Sequence, residues 1–458
     1  MESWRNGTDP TPQYSNTPLL QYQRTLFRQK TINPMRVLLI SANTEKINMP
    51  TLPVGLGCVA AAVREAGHEI RFLDLMVEDD APSALKRAIS AFEPDIVGVS
   101  IRNIDDQSSR SPALLVEDAR SVVSVCRRLS TAPVVLGGAG YSMFPESALD
   151  YLGADMGIQG EGEVAFPLLL GKLSVGKETR GVPGLYVRGK GLQGERRFIR
   201  NLDELPLPSP DLFDRRVADN PAYYLPVQTR RGCPLGCSYC STSMIEGALI
   251  RKRSPQRVIE MLAHWRQSGF SRVFFVDNTF NLPPSYAFDL CRQLAAAGLD
   301  IEWRCILYPG KVDAPLIEGM ARAGCREVSL GFESGHQDIL DAMNKRFNLE
   351  DIRRTRTLLK TNGIGCMGFL LLGGPGETRQ TVTESLDFVE SLELDALRLT
   401  IGIRIYPGTR LAGIARAEGV IGVDDDLLMP KFYIAGGLED WLRRTVGKRA
   451  ANHPNWII

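Results

Sequence analysis

Three of the chain's nine cysteines crowd into the segment "TRRGCPLGCSYCS", as Cys233, Cys237 and Cys240 in a C-x-x-x-C-x-x-C spacing. Thiolates are soft ligands that favour iron–sulfur clusters or zinc, and a short loop containing Gly232, Pro234 and Gly236 can bring three of them together. Three ligands leave one metal position open. A structural zinc site wants a fourth Cys or His, but His264 falls inside a predicted helix and His336 in a distant segment. Zinc with a remote fourth ligand and unliganded thiols are the other readings of the motif. Cys305, Cys325 and Cys366 stand in strand-like or core-like contexts and read as small buried hydrophobes.

The cluster follows the strand "YLPVQTRRG", which opens a series of strands and helices: "RVFFVDNTF", "IEWRCIL", "EVSLGFES", "GCMGFLLLGG" and "ALRLTIGIRIYPGT", with helical stretches between them. Six β/α repeats over 219–428 predict a partial (β/α)6 TIM-type barrel, two repeats short of closure, whose site lies at the carboxyl ends of its strands. An earlier series over 35–180 ("MRVLLIS", "EIRFLDL", "DIVGVSI", "PVVLGGAG", "MGIQGEG") predicts an α/β unit with a doubly wound, flavodoxin- or Rossmann-like parallel sheet. Glycines at its strand ends would let backbone approach a bulky ligand. Residues 1–34 read as a flexible extension, 181–218 as a hairpin and crossing linker, and 429–458 as a C-terminal helix and tail. Tyr433, Trp441 and Trp456 in that last piece either pack across the barrel's open edge or touch substrate. Arg304 and Arg404, at inward strand positions, either meet an anion or pair with an acid across the barrel.

At 458 residues, 44% hydrophobic and 23% charged, the chain has material for two or three domains with sizeable cores. The 54 Lys and Arg against 53 Asp and Glu leave a net charge of +1, so no bulk basic field holds nucleic acid or an anionic membrane. Apolar runs fall far short of the ~18 residues of a spanning helix, and the first residues lack the apolar core of a signal peptide. A cytoplasmic protein is expected, with its clustered cysteines in a reducing compartment.

On these motifs the sequence resembles the radical S-adenosylmethionine (radical SAM) superfamily, specifically its cobalamin-binding branch, from Met35 to the C-terminus. The resemblance implies that Cys233, Cys237 and Cys240 bind a 4Fe-4S cluster whose open iron chelates SAM, and that Tyr239 packs near the adenine. Reductive cleavage of SAM would then give a 5′-deoxyadenosyl radical. The segments "FFVDNTFN", "LGFESG", "GFLLLGGPGET" and "IRIYPGTRL" look like this branch's strand-end motifs and make Asp277, Asn278, Glu333, Gly373, Gly374 and Pro375 SAM-pocket candidates. Singly, each also reads as a cap or turn residue. The order of glycine-containing strand ends in the first unit resembles a cobalamin-binding domain, at Leu52, Pro53, Gly55, Ser100, Gly137, Gly138, Gly160, Glu161, Gly162 and Glu163. Many such domains offer cobalt a histidine in a D-x-H-x-x-G loop, yet Ser41 to Leu52 contains none. His68 reads as a helix-to-strand turn residue, so cobalamin without a protein histidine ligand is expected.

The resemblance implies a methyltransferase acting on an unactivated carbon of a small molecule, lipid precursor or natural product. One SAM would methylate the reduced cobalamin and a second would supply the radical. The alternative is a non-methylating rearrangement, cyclisation or oxidation with cobalamin as an accessory; a redox or light sensor is the reading from outside enzymology. A one-electron reductant such as flavodoxin or ferredoxin is the expected protein partner, and no nucleic acid is.

Overall fold

A computed structural model describes residues 33–45, 50–214 and 216–458. The expected N-terminal extension lies almost wholly outside the described residues. Strands are numbered here in chain order.

The first unit is built on β1 (Arg36–Ser41), β2 (Glu69–Asp74), β3 (Ile96–Ser100), β4 (Val134–Gly137) and β5 (Met156–Ile158), parallel and in the order β2-β1-β3-β4-β5. In β1, Val37, Leu38, Leu39 and Ile40 are all fully buried. Their side chains alternate between faces: Val37 and Leu39 join one hydrophobic cluster, Leu38 and Ile40 another. A strand apolar on both faces needs helices on both, which is the doubly wound arrangement the sequence predicts. The connection order reverses between β1 and β3, so a crevice opens beyond their carboxyl ends. The hairpin of β6 (Leu185–Val187) and β7 (Gly191–Leu192) extends this sheet antiparallel to β5.

The second unit places β8 (Leu225–Val227), β11 (Arg272–Phe275), β12 (Glu302–Leu307), β13 (Cys325–Glu333), β14 (Gly365–Leu372) and β15 (Ala396–Ile401) side by side and parallel. This is the six-stranded partial barrel. Its core centres on Phe275, Phe280 and Trp303, whose ring centroids lie 5.0–5.5 Å apart. A seventh strand, β18 (Trp456–Ile457), joins the open edge with Trp456 opposite Leu397. Ahead of it the helix Glu439–Ala450 buries Leu442 and Val446 in the barrel's cluster. The C-terminal tail therefore packs on the open edge. Trp456 stacks on His453 at 4.3 Å, Trp441 lies under the Arg379 guanidinium, and the buried Tyr433 donates to Glu418.

Between β13 and β14 the chain forms two helices, Gln337–Ala342 and Leu349–Thr361. Asn344 takes a positive φ of 59° in the break, and Asn348 restarts the helix through a reciprocal cap with Asp351. The break turns Lys345 into the barrel. Among the described residues no helix is long and apolar enough to cross a membrane.

Candidate active site

The cysteines sit in a loop closed by a two-stranded hairpin. β9 (Arg230–Arg231) pairs antiparallel with β10 (Arg251–Lys252), and residues 232–250 form the excursion between them. Gly232 (φ 93°) is required at its start, because a Cβ there would meet Leu249 O at 2.1 Å. The loop is held by its own backbone, with Cys233 N bonded to Gly247 O and Cys240 N to Cys237 O, and from outside by Asn344 Nδ2, which donates to Leu235 O and Gly236 O. All three thiols are free and half-buried. Burial, with the other two thiols adding to it, pushes Cys233 up to about 11, and burial likewise raises Cys237. A cationic metal centre would reverse that balance and take the thiolates. Among the described residues no Cys, His, Asp or Glu group is drawn together around a single ion. Three half-buried thiols on one loop are the donor type that a polynuclear iron–sulfur cluster takes, each thiolate on its own iron.

Around the loop stand the polar residues singled out above. Lys345, 5% exposed at its side chain, donates to the Tyr239 hydroxyl at 3.0 Å and pairs with Glu333 at 3.4 Å. Glu333 itself has a φ of 70°, at the end of β13. Asn278 donates to Glu246, which also accepts from Gln228 and Gly232 N. The fully buried carboxylate of Asp277 accepts five hydrogen bonds, from Thr229 N and Oγ1 and from Arg230 N, Nε and Nη2. Both oxygens are satisfied inside the protein, and Asp277 fixes the entry to β9. Gly373, Gly374 and Pro375 form the turn after β14, and the N–H groups of both glycines point at Glu377 Oε2. Glu377 is 6% exposed, its Oε1 is buried without a partner, and burial pushes its carboxyl up to about 7.

Arg304 takes the ion-pairing alternative within the barrel, and Arg404 pairs with an acid of the other unit instead. Arg404 meets Asp105 of the first unit at 2.9 Å, both side chains 2% exposed, while Arg304 pairs with Glu327 and stacks over Tyr224.

The crevice of the first unit is a cavity of about 400 Å3, walled on its other side by the barrel. Leu52, Pro53, Gly55, Ser100, Gly137, Gly138, Gly160, Glu161, Gly162 and Glu163 all line it. A side chain at Gly55, in the first turn of the helix Val54–Glu65, or at Gly137, the end of β4, would meet nothing within 4 Å, so both leave open space for a large ligand. Gly138 is different: its φ of 96° and the approach of Ile101 O make it a turn residue first. Glu161 and Glu163 line the cavity with their carboxylates turned to Arg231 and Arg251 of the barrel. The barrel's share of the wall includes Pro226, Gln228, Ile245 and Glu246, and the last two lie within the cysteine loop. His68 stands at the opposite, amino end of β1, where its Nδ1 accepts from Met35 N.

Residues 40–170 match the B12 binding domain family and residues 227–389 the Radical SAM superfamily. An uncharacterized methyltransferase of Pyrococcus horikoshii, PH0819, is 31% identical over 401 residues, covering 84% of each chain. The tryptophan 2-C-methyltransferase of Streptomyces laurentii is 26% identical over 437 residues, 81% of this chain and 73% of that one. The solved structure of the radical S-adenosylmethionine methyltransferase TsrM from Kitasatospora setae, with cobalamin and a 4Fe-4S cluster bound, superposes with a TM-score of 0.80 at 22% identity, over 93% of this chain and 91% of that one. The two units in tandem define a cobalamin-type radical enzyme scaffold. The chain belongs to the radical SAM superfamily, with a B12-binding domain preceding the radical SAM domain.

Lys345 and Glu377 are the site residues the sequence reading missed. Lysine in "MNKRF" looks like a surface residue until the helix break turns it inward. Glu377 had a signal, since an acid three residues after Gly374 can close the turn onto those N–H groups.

Proposed function

We propose that the protein is a cobalamin-dependent radical SAM methyltransferase that methylates an unactivated carbon of a small molecule. The observation that carries this reading is the shared wall: Ile245 and Glu246 of the cysteine loop face the same cavity as the glycine strand ends of the B12-binding unit. A methyl carrier and a radical source then address one substrate from adjoining pockets.

Cys233, Cys237 and Cys240 would hold the 4Fe-4S cluster; Tyr239, Glu333 and the Gly373-Gly374-Pro375 turn would border SAM. The glycines Gly55, Gly137 and Gly160 would seat cobalamin. When bound, these groups supply a primary carbon radical and a transferable methyl. The chain's own work is positional. The buried Asp277–Arg230 pair fixes the hairpin that carries the cysteines, and Lys345 orders the Tyr239 ring beside them. Apolar walls from Leu39, Val99, Phe166 and Trp265 exclude water from chemistry that water would divert. No histidine lines the cavity among the described residues, which supports cobalamin held without a protein histidine ligand. Nine free cysteines support a reducing, cytoplasmic setting, with a flavodoxin or ferredoxin as electron donor.

The test is anaerobic reconstitution with iron, sulfide and hydroxocobalamin, then turnover of small-molecule candidates with methyl-labelled SAM and reductant. A product heavier by one labelled methyl group supports the reading. SAM cleavage with a product of altered structure and no added carbon would replace it with a rearrangement or oxidation. Nitrogen hyperfine splitting from a protein histidine in the cob(II)alamin resonance would overturn the histidine-free assignment.

A further inference from the structure

Glu161 and Glu163 flank the start of helix Gly162–Leu173 in the B12-binding unit, yet their carboxylates lie against the barrel. Arg231 reaches Glu163 Oε1 at 2.5 Å through Nη2 and Glu161 Oε1 at 3.3 Å through Nη1, and Arg251 reaches Glu161 Oε1 at 2.6 Å. None of the four side chains is more than 11% exposed. The β9–β10 register sets Arg231 directly opposite Arg251. Like charges facing each other across a ladder repel, and the cost grows when they are buried. Among the described residues every ion pair that these two arginines make is to Glu161 or Glu163, so both borrow their counter-charges from the other unit.

We propose that these four residues form a latch that sets the spacing between the two cofactor sites. The inference rests on the cofactor reading above and adds positioning residues to it. Arg231 lies two residues before Cys233, and Glu161 and Glu163 sit at the start of the helix Gly162–Leu173, where they line the cobalamin-side cavity. The latch therefore clamps the base of the cysteine loop to the wall of the neighbouring pocket. Transfer between two bound groups tolerates misplacement of only about an ångström, and three buried carboxylate–guanidinium contacts are stiff enough to hold it.

The experiment uses the full chain carrying Arg231→Gln or, as the gentler change, Glu163→Gln. In cofactor-free protein, hydrogen exchange of the Gln159 to Glu163 amides should accelerate about tenfold or more in Arg231→Gln, with strands β1 and β3 as protected as before. In reconstituted protein carrying both groups, the pulsed-resonance distance distribution between cob(II)alamin and the reduced cluster should broaden beyond that of the parent. If Arg231→Gln does not fold, Glu163→Gln decides. Unchanged exchange in the loop, acceleration spread evenly over both units, or a distance distribution as narrow as the parent's would each overturn the latch. Absence of both spin signals in the parent would instead overturn the cofactor reading, with the exchange result still deciding the latch.

Discussion

The carboxyl ends of the two sheets are built by opposite means. In the first unit the cavity wall is opened by glycines: side chains are missing at Gly55, in the first turn of the helix Val54–Glu65, and at Gly137, the last residue of β4, and nothing stands within 4 Å of where they would be. In the barrel they carry polar side chains that satisfy one another, Asp277 with Arg230 and Thr229, Glu246 with Asn278, Gln228 and Gly232, and Lys345 with Tyr239 and Glu333. A large preformed ligand is accommodated by leaving backbone exposed and space open. A metal cluster needs its ligands presented in one place, so the framework there is a closed network in which few polar groups remain for ligand.

The sharpest way to break the contrast is to remove a thiol. Cys237→Ala should abolish SAM cleavage and bound iron, while cobalamin binding in the other unit stays within about twofold of the parent. Retention of full iron content would sever the cysteine loop from the cluster. Next in size is the frame that holds that loop. Asp277→Ala leaves Arg230 buried without its partner and should cost about 3–5 kcal/mol in urea unfolding. A variant as stable as the parent but weaker for SAM would restore Asp277 as a ligand contact.

Glu377 gives the barrel a pH signature at the turn after β14. Its carboxyl titrates near 4.5 in the unfolded chain and at about 7 in the fold, so between those values the folded state holds the extra proton. Its contribution is complete below about pH 4.5 and is lost as pH rises through 7, by up to about 3 kcal/mol. Glu377→Gln keeps an acceptor for Gly373 N and Gly374 N and supplies a donor at the orphaned position. The stability difference between variant and parent should therefore shift in the variant's favour from pH 5 to pH 7.5. A constant difference across that range would show the carboxyl to be ionised throughout.

For the first unit the corresponding change fills the space. Gly137→Leu places a side chain where no atom stands, so cobalamin affinity should fall by about 1–3 kcal/mol with thermal stability little altered. Gly138→Ala is the contrasting variant: its positive φ and the Ile101 carbonyl oppose any side chain, and it should lose stability even without cobalamin. Equal effects of the two on apo stability would mean that Gly137 is also a turn glycine.

The same contrast explains what the sequence disclosed. Alternating strands and helices, the "VLLI" run buried on both faces and the cysteine spacing are local patterns, and the two units and the cysteine loop follow from them. The glycine strand ends were legible for a related reason, since a missing side chain needs no partner to be interpreted. Charged residues were harder, because their roles depend on partners far along the chain. Asp277 is engaged by Arg230, 47 residues earlier, and Glu163 by Arg231, 68 residues later. An acid at a strand end looks the same in sequence whether it faces a ligand or an arginine. Lys345 escaped notice because only the three-dimensional course of the helix break decides that it turns inward.

The smallest effect belongs at the barrel's open edge, where the C-terminal tail plays neither part in the contrast. Trp456 aligns with Leu397 through the β18–β15 ladder and stacks on His453, whose ring nitrogen lies 3.3 Å from Glu390. The tail thereby covers an edge that would otherwise expose the backbone groups of β15. Trp456→Ala keeps the ladder's backbone and removes one half-exposed stacking pair, so the cost should be about 1 kcal/mol in unfolding free energy. SAM cleavage and substrate affinity should stay unchanged. A raised KM at unaltered stability would instead bring this tail to the substrate, and would make the open edge of the barrel a third wall of the site.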